Sequence, residues 1–231
     1  MTTRAPGEPS AGLSPAPSLA GPPRSLIIAC GALARELLAI IRVNGWSHMD
    51  ITCLPASLHN RPEHIPERVR DRIRENRDRY DAIYVAYADC GTGGLLDRVL
   101  AEEGVTRIGG PHCYSFFAGH EDFDRLMDEE LGSFFLTDYL VRHFHTLIIK
   151  GLGLDRHPEL QDMMFGNYRR LVYLAQTDDA DLVAKAQAAA DRLGLAFEMR
   201  RTGMGELARF VQDAAGGRAT GGTTGKDLET H

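Results

Sequence analysis

The sequence predicts an α/β fold built on a doubly wound, mostly parallel sheet, and three observations predict it. Short apolar runs rich in β-branched residues alternate with amphipathic helical stretches of about 10 to 15 residues, the signature of βαβ units. The runs end at glycine, proline or a short polar turn. Three of the four cysteines fall immediately after such runs, where an open parallel sheet gathers its loops along the carboxyl edge.

The elements follow in order. Ser25 to Cys30 is an apolar run ended by Gly31, and Ala32 to Val43 then repeats Leu33, Leu37, Leu38 and Ile41 at helical spacing. Met49 to Leu54 is a second strand before Pro55. Pro66 opens the charged helix Glu67 to Tyr80, with Val69 and Ile73 on its inner face. Asp81 to Ala88 is a third strand, Gly94 to Glu103 a helix, and Val105 to Gly109 a short fourth strand. The stretch 119–168 shows no good strand and reads as a helical insert or lid. Arg170 to Ala175 and Leu195 to Met199 are further strands, separated by an alanine-rich helix from Asp178 to Leu193 that Thr177 or Asp178 caps and Gly194 stops. Right-handed crossovers between parallel strands make this a Rossmann-like arrangement.

Residues 1–23 carry six prolines among Ala, Ser and Gly and predict a disordered tail; a glycine-rich stretch from 214 to 231 predicts another. One domain over 24–213 remains. The prolines at 6, 9, 15 and 17 break any apolar run of signal-peptide length, so a cytoplasmic location is expected. Lys and Arg number 26 against 32 Asp and Glu, a net charge of −6 without a basic run, which argues against nucleic acid or an anionic membrane as partner. No stretch approaches the roughly 18 apolar residues of a membrane helix.

Function is carried by the cysteines. Cys30, Cys90 and Cys113 each sit at a strand tip, so three thiols distant in sequence are expected to converge. A helix N-terminus behind each favours the thiolate, the form that binds metal or attacks electrophiles. Any one of them alone is more often a small core hydrophobe, and it is their shared position that points to a site; Cys53, inside the second strand, is assigned to the core. Gly31, Gly91 and Gly93 are expected to bring backbone amides to the same point, binding a cofactor. His112, beside Cys113, is the expected fourth ligand or acid/base group; with Cys90 as nucleophile it also completes a possible catalytic pair. His59 and His64 lie in the loop after the second strand and near the same edge, and Asp89 adjoins Cys90. The turn Gly91-Thr92-Gly93-Gly94 resembles a phosphate loop, but Leu96 stands where the dinucleotide fingerprint has glycine. The aromatic residues from Tyr114 to Tyr139 are expected beneath the helical insert, some of them walling an apolar pocket.

The runs Leu26-Ile-Ile-Ala-Cys-Gly-Ala-Leu-Ala-Arg-Glu36, Cys90-Gly-Thr-Gly93, His112-Cys113 and Ser133-Phe-Phe-Leu-Thr137 resemble a bacterial and archaeal domain family of unknown function. That family's pattern has an acidic residue between the histidine and the cysteine, which here are adjacent. The resemblance implies a setting beside corrinoid-dependent methyltransferases, in one-carbon or methionine metabolism. Together these readings predict a three-cysteine site for zinc or an iron–sulfur cluster that serves methyl transfer on a small-molecule substrate. Two alternatives remain open: an accessory protein that docks on a corrinoid protein or methyltransferase, and a metal-free cysteine-nucleophile enzyme.

Overall fold

The computed structural model describes residues 22–218, Pro111 excepted. β1 (Ser25–Cys30) is buried along its whole length, as its unbroken apolar run requires of a strand covered on both faces. It lies between β2 (Met49–Leu54) and β3 (Ala82–Ala86), with β4 (Thr106–Arg107) beyond β3, and every pairing is parallel. α1 (Ala34–Asn44) leads from β1 to β2 and ends at Gly45, whose φ of +66° suits glycine. α2 (Ile65–Asn76), with Pro66 in its first turn, and α3 (Leu95–Glu103) carry the chain onward and pack together. Ile27, Ile28, Leu37, Ile73 and Val85 are fully buried here, each stabilising the fold by roughly 1.5 to 3 kcal/mol.

The second half has its own sheet: β5 (Ser133–Thr137), β6 (Arg170–Ala175) and β7 (Ala196–Arg201), in that order and again parallel. α4 (Tyr114–Ala118) and α5 (His120–Glu129) precede β5. α6 (Asp138–Arg142), a π-helical segment His145–Lys150 and α7 (Leu160–Phe165) fill the crossover to β6. α8 (Ala180–Leu193) crosses to β7. Residues of α5 pack with Phe135, Val172 and Leu174 on one face of this sheet, while α8 covers Leu171, Tyr173 and Ala175 on the other. α9 (Gly205–Ala215) then returns to the first half, where Leu207, Phe210 and Val211 join its core beside α1 and α4.

The α/β class and the parallel pairing stand as expected, and three details differ. The 119–168 stretch is mostly helical but contains β5; those five residues lie against both α5 and α8, so they show none of the apolar–polar alternation that marks a half-exposed strand. The strands accordingly divide between two sheets. Asp179, not Thr177 or Asp178, caps α8, its carboxylate accepting from the Asp181 and Leu182 amides. The expected boundary at 213 falls inside α9, whose Ala214 is buried. Nearly all of the expected N-terminal tail, and the end of the C-terminal one, lie outside the described residues. Among the described residues no helix is long and apolar enough to cross a membrane.

Candidate metal centre

A cavity of about 480 Å³ opens where the carboxyl ends of the two sheets meet. The first half lines it with Cys30, Ala56, His59, Cys90 and Cys113, and the second half with Thr137, Tyr139, Leu140, Leu147 and Ile148. β1 leads out to β2 on one side and is paired with β3 on the other, so the loops after β1 and β3 part at this point and leave a crevice. Strand order thus brings together cysteines far apart in sequence.

Each thiol is positioned locally. Cys30 ends β1, and its sulfur accepts from the Ala32 amide at 3.4 Å. Cys90 has φ +50°, the one left-handed non-glycine residue among those described, a conformation that costs energy and is common at functional sites. Asp89 holds that turn: its carboxylate accepts from the Thr92 hydroxyl at 2.6 Å and from the Gly94 and Gly93 amides at 2.9 and 3.2 Å. Burial pushes Asp89 up, but these bonds outweigh it and hold the carboxyl below its usual range. The phosphate-loop-like turn is therefore filled by its own carboxylate. Cys113, just before α4, has its sulfur 3.3 Å from that of Cys90.

A histidine completes the group. His59 follows β2 in a short 3₁₀ turn, with Nδ1 3.0 Å from the Ala56 carbonyl and 3.8 Å from the Cys30 sulfur. A carbonyl only accepts, so Nδ1 carries a proton, and Nε2 is the nitrogen that would give up its own proton and donate to a metal, the usual arrangement behind a metal-binding imidazole. Donor atoms of His59, Cys90 and Cys113 all lie within 4.8 Å of one another. Burial pulls the His59 pKa down, yet hydrogen bonds to Cys113 and Cys30 outweigh it and raise it to about 10. The Cys113 thiol is pushed well above its ordinary value, first by its bond with Cys90 and then by burial. Two thiols this close do not both ionise without a cation.

The donor set fits such a cation. Tetrahedral coordination with bonds of about 2.0 to 2.3 Å has edges of roughly 3.3 to 3.8 Å. The Cys90 and Cys113 sulfurs, 3.3 Å apart, are close to such an edge, and sulfur with imidazole nitrogen suits a soft or borderline ion. Tyr87, fully buried, stacks on His59 with ring centroids 6.2 Å apart. Its hydroxyl meets no nitrogen or oxygen partner, and burial, followed by the charges of Cys30, Cys113 and Cys90 and contact with the Cys30 sulfur, drives its pKa up.

The expected residues are placed as follows. Cys30, Cys90 and Cys113 all line the cavity, although Cys30 is outside the group of three mutually close donors. His112 also lines it, but its ring packs toward Tyr114 and Phe123; the imidazole beside the thiols is that of His59, which like His112 is exposed on one side. Gly91 is at the wall. Gly31 and Gly93 are not: Gly31 is held so close to Leu54 that an added Cβ would lie 3.2 Å from its carbonyl oxygen, and the Gly93 amide is taken by Asp89. His64 lies beside Glu63, at 3.9 Å. Cys53, opposite Ala29 in β2, is half-buried against the first core and away from the cavity. Tyr114, Phe117 and Tyr139 wall the cavity as expected of that aromatic group, and Leu140, Leu147 and Ile148 come from the expected helical insert; Tyr87 was not foreseen, and no sequence motif marks it.

The edge of the second sheet carries different chemistry. Asp138, wholly buried at the start of α6, accepts from the Tyr173 hydroxyl at 2.8 Å, the Gln176 amide at 3.0 Å and the Thr177 hydroxyl. The Gln176 side chain accepts from the Asp138 amide at 2.7 Å.

No curated protein matches the chain. A family model does, over residues 53–211, more than half of the chain; the matched span includes His59, Cys90, His112 and Cys113 and leaves Cys30 outside. The cavity and its thiols therefore belong to a member of DUF1638, a family described as proteins of unknown function.

Proposed function

We propose that this protein binds a single soft metal ion, zinc in the first instance, through His59, Cys90 and Cys113, with Cys30 adjacent and the fourth position open to a ligand, and that the centre serves methyl transfer to a small-molecule thiol. The observation that carries the metal reading is the mutual approach of three donor atoms within 4.8 Å, two of them sulfurs 3.3 Å apart. A [4Fe–4S] cluster sets each cysteine on a different iron, whereas two sulfurs this close suit one ion. The ion would supply a cation that keeps a substrate thiol ionised near neutral pH. Around it the chain's own residues have definite tasks. Asp89 holds the strained Cys90 turn, the Ala56 carbonyl orients the His59 ring, and the walls of the second half keep bulk water from the thiols. The corrinoid setting rests on the family resemblance carried by Cys30-Gly31, Cys90-Gly-Thr-Gly93 and His112-Cys113. In that setting a corrinoid protein is the methyl donor: the thiolate sulfur bonds to the methyl carbon, and cobalt departs with the electron pair of the broken bond.

The test is metal analysis of protein purified without oxygen, followed by incubation with methylcobalamin and a thiol. About one equivalent of zinc and accelerated formation of the methyl thioether are expected. Protein that neither retains nor regains metal, with four freely titrating thiols, overturns the metal reading. Metal-loaded protein that co-purifies with a corrinoid protein but turns nothing over is instead an accessory component.

A further inference from the structure

The cavity's lining is uneven. Part of it is the thiol and imidazole group just described. It also carries Phe117, Leu140, Leu147 and Ile148, with Ser57, Asn60 and Thr137 as neutral polar groups. Among the described residues, no Lys, Arg, Asp or Glu lines it. Its volume of about 480 Å³ falls within the roughly 300 to 1,000 Å³ of small-molecule sites.

We infer, building on the metal reading, that the occupant is an uncharged, largely apolar thiol or thioether, its sulfur at the His59–Cys90–Cys113 end and its body against Leu140, Leu147 and Ile148. Charge balance excludes the common alternative. A divalent cation with the Cys90 and Cys113 thiolates is neutral overall, so the one thiolate the ligand brings already makes the set negative, and a second anionic group on the ligand finds no attraction at that end. Along the walls a carboxylate or phosphate loses water and meets no counter-charge, which is costly in a confined site. The apolar wall removes hydrocarbon from water at no such cost. Leu147 and Ile148 belong to the π-helical turn, whose extra residue re-aims side chains relative to a regular helix; such turns concentrate at functional sites. With Leu140 they are the aliphatic side chains that the thiol-free half brings to the cavity, and they set its specificity.

Two aryl thiols of one skeleton test this: (4-methylphenyl)methanethiol and 4-(mercaptomethyl)benzoate, which differ by a methyl group against a carboxylate. The protein is loaded with cobalt(II), whose thiolate charge-transfer absorption reads ligation directly. The methyl compound is expected to bind at least about tenfold more tightly. Ile148→Arg should abolish that preference by giving the carboxylate a partner, with the cobalt spectrum of the ligand-free protein unchanged. A second measurement needs no metal: fluorescence of the neutral dye N-phenyl-1-naphthylamine, bound to metal-free protein and displaced by the two compounds. Equal or tighter binding of the benzoate by the wild-type cobalt protein overturns the inference. Failure of cobalt to bind overturns the metal reading; displacement of the dye by the methyl compound alone then keeps the apolar-ligand assignment, and absence of dye binding removes it.

Discussion

Both sheets of this molecule end in buried polar groups at their carboxyl edges, and the two edges treat them oppositely. At the tip of β5, Asp138 is wholly buried and its oxygens accept from Tyr173, Gln176 and Thr177. Beyond the tips of β3 and β4, Cys90 and Cys113 have only each other and a histidine, and the Tyr87 hydroxyl meets no nitrogen or oxygen partner. Buried polar groups are nearly always hydrogen-bonded, so the unsatisfied Tyr87 hydroxyl beside two close thiols marks a place where something else binds. One edge is built to be finished by the chain itself, and the other by a ligand.

The sharpest way to break that comparison is to remove donors. Cys90→Ser, Cys113→Ser and His59→Ala should each lower zinc affinity at least about 100-fold while the melting temperature of metal-free protein barely moves. Cys30→Ser should cost about tenfold, since Cys30 touches His59 but is outside the mutually close group. Equal losses for all four, read by metal analysis after competition with a chelator, would place Cys30 in the centre as a full ligand. The opposite edge should answer in stability instead. Asp138→Asn turns an amide N–H₂ toward groups that donate, and should cost about 3 kcal/mol in urea unfolding with the zinc content of the folded fraction unchanged. A loss of zinc in that variant would mean the two edges are coupled.

How much of this was legible in sequence depends on the range over which each feature is fixed. β1, β2 and β3 announce themselves as apolar runs with turn residues after them, and the convergence of Cys30, Cys90 and Cys113 follows from strand-tip position alone. β5 was hidden because burial on both faces removes its alternation. His59 was visible only as a loop residue near the edge, whereas His112 stood beside a cysteine and drew the ligand assignment. Sequence adjacency is a poor guide here: the His112 side chain turns toward Tyr114 and Phe123, while the 3₁₀ turn Ala56–Asn60 presents His59. The apolar wall depends on how two sheets meet, which no local pattern encodes.

A smaller effect lies between the halves. Glu36 of α1 is 6% exposed and its Oε2 has no partner. Burial raises its pKa, an effect reinforced by the charge of Asp138 and opposed by its own backbone hydrogen bond, Arg142 and Arg35. A folded-state pKa above the unfolded value means the folded protein holds this proton more tightly. Stability from Glu36 is thus fully present below the unfolded carboxyl value of about 4.3, and is lost as pH rises through the folded one. Glu36→Gln should therefore stabilise the protein by about 1 kcal/mol at neutral pH and by little near pH 4. Denaturant midpoints for both proteins across that range decide it; parallel curves would show that Glu36 carries no such penalty.

The smallest expected effect is also the control that separates metal ligand from core thiol. Cys53 lies one strand from the cavity, opposite Ala29, and packs its sulfur against the first core while remaining half-buried. Burial, and then the neighbouring Cys30, raise its pKa, so it stays a neutral thiol. Replacing it with Ser trades a polarisable sulfur for a hydroxyl. A fully buried unpaired hydroxyl costs about 1 to 3 kcal/mol, but partial exposure lets water satisfy this one, so the loss should be under about 1 kcal/mol. Zinc stoichiometry and affinity should match the wild type, because Cys53 does not line the cavity. The two measurements together are decisive: a Cys53→Ser protein that melts normally yet loses its metal would require a register in which β2, not β3, delivers the thiol beside Cys113.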